Sequence, residues 1–337
     1  MTCGCFGAST TKKKRSLSCI PKEIQGYPLN NVRHFSDKEL RSATNNYHSS
    51  NKIGQGGFGT VYQGTLKNGR KVAVKTLSAF SKQGVREFFS ENNILSNVKH
   101  QNLVKLIGCC VRGPNRTLVY EYMENGSLDS ALLGTRSANI QLDWKKRSAI
   151  IVGTAKGLAF LHEELVPHIV HRDIKASNIL LDRNFNPKIG DFGLAKLFPD
   201  DITHMSTRIA GTIGYLAPEY ALGGQLTKKA DVYSFGVLIL EIISGKSSAR
   251  TNRGGSQRFL LDWAWQLYKK GKLLKLVDQD MEKFPEEEVI KYIKVAFFCT
   301  QSAASRRPLM TQVIHMLTKE IQLNEKQLTP PGFFVLP

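Results

Sequence analysis

The chain has 337 residues, a formal net charge of +19 and 41% hydrophobic residues. That length exceeds one minimal domain without demanding two, and that apolar share can bury a sizeable core. Six scattered cysteines exclude a disulfide framework in a chain this long, and no apolar run follows the early basic residues as a signal peptide requires. A reduced, intracellular protein is expected.

Residues 1–31 are small, basic and contain Pro21 and Pro28, which reads as a mobile tail. Residues 1–50 carry +5 of the net charge and the remainder +14. The excess reads either as a solvated surface or as attraction to an anionic membrane or acidic substrates. Cys3 and Cys5 precede Lys12-Lys-Lys-Arg15. Thr2 argues against myristoylation. Palmitate on Cys3 and Cys5 plus the basic run would give two membrane signals, enough for stable anchoring. A nuclear-localisation signal or a plain basic tail is the rival reading. Residues 32–51 read as a helical extension, because Ser36-Asp-Lys-Glu39 is a capping box that starts a helix near residue 36.

From Lys52 to Leu77 the pattern is β-branched alternation, with turns expected at Gly64 and Asn68-Gly69. Gly54-Gln55-Gly56-Gly57-Phe58-Gly59 lies at its start. A dinucleotide fingerprint needs a helix after the last glycine and an acid about twenty residues on. Here Thr60-Val61-Tyr62 continues as strand and no acid follows, so the glycines predict a β-turn lid whose N–H groups reach phosphate oxygens. Lys75 ends the apolar strand Val72-Ala-Val74. Pointing inward it needs an anion, since an unpaired buried ammonium is very costly. Glu91, inside a helix predicted over 82–97, is the expected partner, with Glu87 as competitor. Strands follow at 103–111 and 116–122.

Past Gly126 the periodicity turns helical, over 150–161, 231–243 and 289–300. The apolar stretch Phe235–Ile243 is too short to span a bilayer and is broken by Glu241. Ser244–Arg258 reads as a surface loop. Between the helices lie His171-Arg172-Asp173-Ile-Lys175-Ala-Ser-Asn178, Asp191-Phe-Gly193 and Ala217-Pro-Glu219. Asp173 can orient or accept a hydroxyl proton, and Lys175 can neutralise a moving phosphoryl group. Asn178 and Asp191 offer the oxygen ligands that Mg²⁺ takes beside nucleotide phosphates. Thr203, Ser206, Thr207 and Thr212 sit in the polar stretch after Asp191. Arg172 and Lys196 are the cations that could pair with phosphate there. Ser206 and Thr207 are the better switch candidates, and Thr212 is more structural or substrate-facing.

With those motifs in that order, residues 52–319 resemble a eukaryotic protein kinase domain. The resemblance implies an α+β bilobal fold, with a β-rich N-lobe over 52–123, a helical C-lobe over 124–319 and a C-terminal tail over 320–337. His34–Thr44, Leu118–Ser127 and Gly211–Glu219 resemble the receptor-like kinase/Pelle group of serine/threonine kinases. The text from Pro187 to Lys196 and from Tyr220 to Thr227 resembles its cold-responsive branch, so a plant receptor-like cytoplasmic kinase is expected. The resemblance implies ATP with Mg²⁺, or Mn²⁺, as cofactors. It makes Tyr120 the gatekeeper and Glu121-Tyr122-Met123 the adenine hinge, and sets Ile53, Val61 and Ala73 against the nucleotide. Asp231 would brace the catalytic loop, Arg307 would pair with Glu219, and Lys175 with Thr212 would mark serine/threonine specificity. Glu91-Asn-Asn-Ile departs from the family, where an apolar residue usually follows the glutamate. Implied partners are protein substrates, an upstream receptor kinase or co-receptor and an anionic membrane surface. The implied location is the cytoplasmic face of the plasma membrane, with cytoplasm or nucleus as alternatives. A non-catalytic scaffold would show a lost Lys, Asp or glycine, and none is lost. No nucleic-acid motif accompanies the charge.

Overall fold

The computed structural model describes residues 32–56, 59–77, 82–134, 141–199, 201–248 and 260–332. Cys3, Cys5, Gly57, Phe58 and most of Ser244–Arg258 lie outside these residues.

The first part is a six-stranded sheet in the order β1-β5-β6-β4-β3-β2. Its members are β1 (Arg33–His34), β2 (Lys52–Gly56), β3 (Gly59–Thr65), β4 (Lys71–Leu77), β5 (Leu106–Arg112) and β6 (Asn115–Glu121). β1 runs parallel to β5, and the other pairs are antiparallel. Helix α1 (Asp37–Ala43) starts at the expected capping box: Ser36 Oγ accepts from the Glu39 N–H at 3.2 Å, and the Glu39 carboxylate accepts from the Ser36 N–H at 2.8 Å. Helix α2 (Lys82–Asn97) packs across the sheet and ends where the periodicity put it.

Two local expectations are corrected. Gly64 is no turn but lies inside β3, opposite Val72. An added Cβ there would come 3.3 Å from Val72 Cγ2 and 3.4 Å from the Ala43 carbonyl, a close fit between β4 and the end of α1. The extension over 32–51 is also not all helix, since its first residues form β1. Two residues carry too little alternation to be read as a strand.

The second part is helical. It contains α3 (Leu128–Leu133), α4 (Trp144–Ala159), α5 (Pro218–Gly223), α6 (Lys228–Ser244), α7 (Leu260–Lys269), α8 (Glu286–Cys299) and α9 (Met310–Thr318). Short strand pairs β8 (Ile179–Leu181) with β9 (Pro187–Ile189), and β7 (His168–Val170) with β10 (Lys196–Phe198), fix the loops that face the sheet. A third pair, β11 (Met205–Ser206) with β12 (Gln225–Leu226), ties the polar stretch after Asp191 to the start of α6. Helix α6 is buried almost along its whole length, as expected for a helix apolar on all sides. The two parts form the bilobal arrangement, with a cleft between them. Cys109 and Cys110 are buried free thiols in β5, not a vicinal disulfide.

Candidate active site

A cavity of about 630 Å³ separates the two lobes. Its upper wall comes from β2, β3 and β4, with Ile53, Gly54, Gln55, Gly56, Gly59, Val61, Ala73 and Lys75. Gly59 has φ 143°, and a Cβ there would come 2.0 Å from the Thr76 carbonyl, so no side chain fits at this corner of the lid. Its back and outer edge hold Glu91, Tyr120, Glu121, Tyr122 and Met123; its floor holds Lys175, Asn178 and Asp191. Of the nucleotide residues expected from sequence, only Gly57 and Phe58 go undescribed. Sequence reasoning missed Val104, Ser130 and Leu180 in the lining. Leu180 had a signal: it stands two positions past Asn178 in a strand, on the face opposite buried Ile179.

Lys75 is the meeting point of the two lobes. Its Nζ lies 2.9 Å from Glu91 Oε2 and 2.9 Å from Asp191 Oδ1. Burial works against the ammonium, but Glu91 and Asp191 outweigh it and hold the lysine pKa above its ordinary value. Burial likewise opposes charge on Asp191, and Lys75 more than compensates, so that carboxyl sits below its usual range. Glu87 is not the partner. It accepts from Gln83 Nε2 at 3.0 Å, and burial pushes its carboxyl up. Glu91 also accepts from the Phe192 N–H at 3.3 Å, so one carboxylate reads both Lys75 and the turn after Asp191. Asp191 itself is left-handed, φ 60°, a conformation non-glycine residues rarely hold.

The loop 171–178 is held from beneath. Asp231, fully buried on α6, accepts from the His171 N–H at 2.7 Å, the Arg172 N–H at 2.8 Å and His162 Nε2 at 2.9 Å. Burial would raise its pKa, but the hydrogen bond from His162 and the surrounding donors lower it. His162 comes from the π turn Phe160–Glu164 that closes α4. His171 Nε2 is 3.0 Å from the Gly190 carbonyl, and its ring meets Phe192 edge-on. These contacts tie the loop to the Asp191 turn.

Around Asp173 the donors converge. Asn178 Nδ2 donates to Asp173 Oδ2 at 3.1 Å, Lys175 Nζ stands 2.9 Å from the same oxygen, and the Thr212 hydroxyl donates to Oδ1 at 2.6 Å. Lys175 also donates to Thr212 Oγ1 at 2.8 Å. Thr212 thus lies on the site rather than among the exposed loop hydroxyls. Thr203 and Ser206 are exposed, and Thr207 is half-buried.

Arg172 is already occupied. Its guanidinium donates to the Leu194 carbonyl at 3.0 Å, the Arg208 carbonyl at 2.8 Å and the Tyr220 hydroxyl at 3.1 Å. Tyr220, which sequence reading missed, also accepts from the Ala210 N–H at 3.0 Å. Burial and the Arg172 charge push the Lys196 pKa down. Farther out, Arg307 and Glu219 form a bidentate pair at 2.7 and 2.8 Å, with the arginine side chain buried.

The donor set suits a magnesium nucleotide. Asn178 and Asp191 supply hard oxygens, and among the described residues no group of three His, Cys, Asp or Glu side chains could hold a metal alone. A divalent ion here would need further oxygens from phosphate.

The family of protein tyrosine and serine/threonine kinases matches residues 47–317. Cold-responsive protein kinase 1 of Arabidopsis thaliana is 53% identical over 95% of this chain and 82% of that protein. Two probable LRR receptor-like serine/threonine-protein kinases of the same plant are 51% and 52% identical over 96% and 92% of this chain. The chain spans only 32% and 30% of their length. It belongs to the protein tyrosine and serine/threonine kinase family, as a plant receptor-like kinase domain with ATP-dependent serine/threonine protein kinase activity.

Proposed function

We propose that this chain phosphorylates serine and threonine on protein partners in receptor-proximal signalling, with residues 52–319 as the catalytic unit. The observation that carries the reading is the convergence of Lys75, Asn178 and Asp191, distant in sequence, on one cavity, with Asp173 bonded to Asn178 and Lys175 of its floor. Lys75, held by Glu91, orients the phosphates. Asn178 and Asp191 would hold Mg²⁺, which would supply charge neutralisation for the transferred phosphate. Asp173, bordered by three donors, orients the incoming hydroxyl and takes its proton. Lys175 faces the transferred group and offsets its charge. Thr212 keeps Asp173 and Lys175 in register.

Control acts through the stretch after Asp191. Arg172 holds both its ends through carbonyls and Tyr220, while Lys196 stands beside Arg172 with its charge disfavoured. Phosphate on Ser206, Thr207 or Thr203 would supply the missing anion and stiffen the segment. For location, no helix among the described residues is long and apolar enough to cross a membrane. Acylation at Cys3 and Cys5 with the basic run 12–15 would hold the domain at an anionic leaflet beside a receptor.

The test is phosphosite mapping on wild type and Asp191→Asn protein incubated with Mg-ATP. Label on Ser206 or Thr207 in wild type only supports the reading. Equal incorporation in both proteins would refute the metal role of Asp191.

A further inference from the structure

A second hollow lies back to back with the nucleotide cleft, sharing Val104 and Glu121 as a common wall. It encloses about 600 Å³, inside the range of small-molecule sites, roughly 300–1,000 Å³. Leu95, Val98 and Leu106 are among its apolar lining residues. Its rim is cationic: Arg33, Arg70, Lys99, Lys105 and Lys188, with His100 beside them, face one carboxylate, Glu121.

Two of these cations are engaged. Lys188 Nζ is 3.1 Å from Glu121 Oε1, and Arg33 is 3.1 Å from Glu39 and lies over the Phe35 ring. Arg70, Lys99 and Lys105 are exposed. Among the described residues no carboxylate reaches ion-pair distance of their side chains. They come from two segments: Arg70 from the turn before β4, and Lys99 and Lys105 from the connection between α2 and β5. Like charges gathered this way repel, so the arrangement gains most from a ligand that brings several negative charges into a small volume.

We propose that this hollow binds a compact polyphosphate anion of the inositol-phosphate class, free or as a lipid headgroup. One phosphate group carries about −1.5 to −2 charge and three strong acceptor oxygens. Several on one ring can meet Arg70, Lys99 and Lys105 together, with Lys188 within reach at the cost of its bond to Glu121. A peptide carboxylate carries a single charge and needs a longer segment to match them. The chain's own run Lys12–Arg15 has the same sign as the rim and is no occupant.

Inositol hexakisphosphate is titrated into the full chain by calorimetry, with excess ADP and Mg²⁺ filling the cleft. One saturable site is expected, weakening as salt rises. Affinity falls at least tenfold in Lys99→Ala/Lys105→Ala and stays unchanged in Lys269→Ala/Lys270→Ala, a pair of exposed cations on and just after α7. Thermal melting confirms that each variant folds. Vesicles with phosphatidylinositol bisphosphate, set against phosphatidylserine vesicles of equal charge, separate the sources. Selective binding lost in the first variant assigns a headgroup, and no vesicle preference beside tight hexakisphosphate binding assigns the free form. Equal affinity of wild type and Lys99→Ala/Lys105→Ala, or displacement by poly-glutamate at equal charge, overturns the proposal.

Discussion

Lys75 keeps its charge where burial opposes it, because two carboxylates reach it at 2.9 Å from different lobes. Removing the ammonium strands both. Lys75→Met should cost about 3 kcal/mol of stability, as breaking a buried pair does, and lower transfer about 10²–10³-fold. Chemical denaturation and a radiolabel assay read the two effects. Asp191→Asn leaves the Lys75–Glu91 bond in place, so the same pair of measurements should find transfer lost with a smaller loss of stability than in Lys75→Met. Thr212 gives a finer test. Its hydroxyl bridges Asp173 and Lys175, so Thr212→Val should reduce kcat by about tenfold or more while Thr212→Ser retains it. Equal rates in both variants would show that the bridge positions nothing. At this scale the meeting of Asn178 and Asp191 at one cavity, with Asp173 beside Asn178, was legible in sequence from the motif spacing. The choice of Glu91 over Glu87 was not settled by spacing, since both lie within one turn of the same helix. The facing of α2 decided it.

At the scale of elements, α6 carries a second buried acid besides Asp231. Glu241 receives the Tyr215 hydroxyl and, at 2.5 Å, the Ser248 N–H. Burial raises its pKa from the ordinary 4.5 to about 7. The folded chain therefore binds this proton more tightly than the unfolded chain. The stabilisation is full below pH 4.5 and declines as pH rises through 7. Between pH 5 and 8 the wild type should lose about 2–3 kcal/mol that Glu241→Gln does not lose. Melting scans of both proteins across that range measure the difference in slope, and parallel curves would remove Glu241 from the account. Strand β1 depends on a different contact. A Cβ on Gly108 would come 2.2 Å from the Arg33 carbonyl and 2.6 Å from the Phe35 ring. Gly108→Ala should cost about 1–3 kcal/mol and lose hydrogen-exchange protection at the Phe35 N–H, which bonds the Cys109 carbonyl at 2.9 Å. The capping box of α1 could be read directly, whereas β1 could not, because its partner strand lies about seventy residues away.

At the scale of the whole molecule, charge and location meet. The net +19 includes the cationic rim behind the cleft and the basic run near the N-terminus. Changing Cys3 and Cys5 to serine should shift the protein from the membrane fraction to the soluble fraction, since a basic run without acyl chains binds weakly and reversibly. A wild type that is already soluble after fractionation would sink the anchor.

The order of motifs determined the family, the two-lobe plan and the chemistry, because phosphoryl transfer tolerates few residue types at its metal, base and phosphate positions. Tertiary structure alone decided which acid holds Lys75, that Tyr220 and two carbonyls occupy Arg172, and that Arg70 joins Lys99 and Lys105 around a hollow beside Glu121. Those outcomes depend on how α2, α5 and β5 face their neighbours. Such facing is set by packing between segments far apart in the chain, to which local pattern is blind.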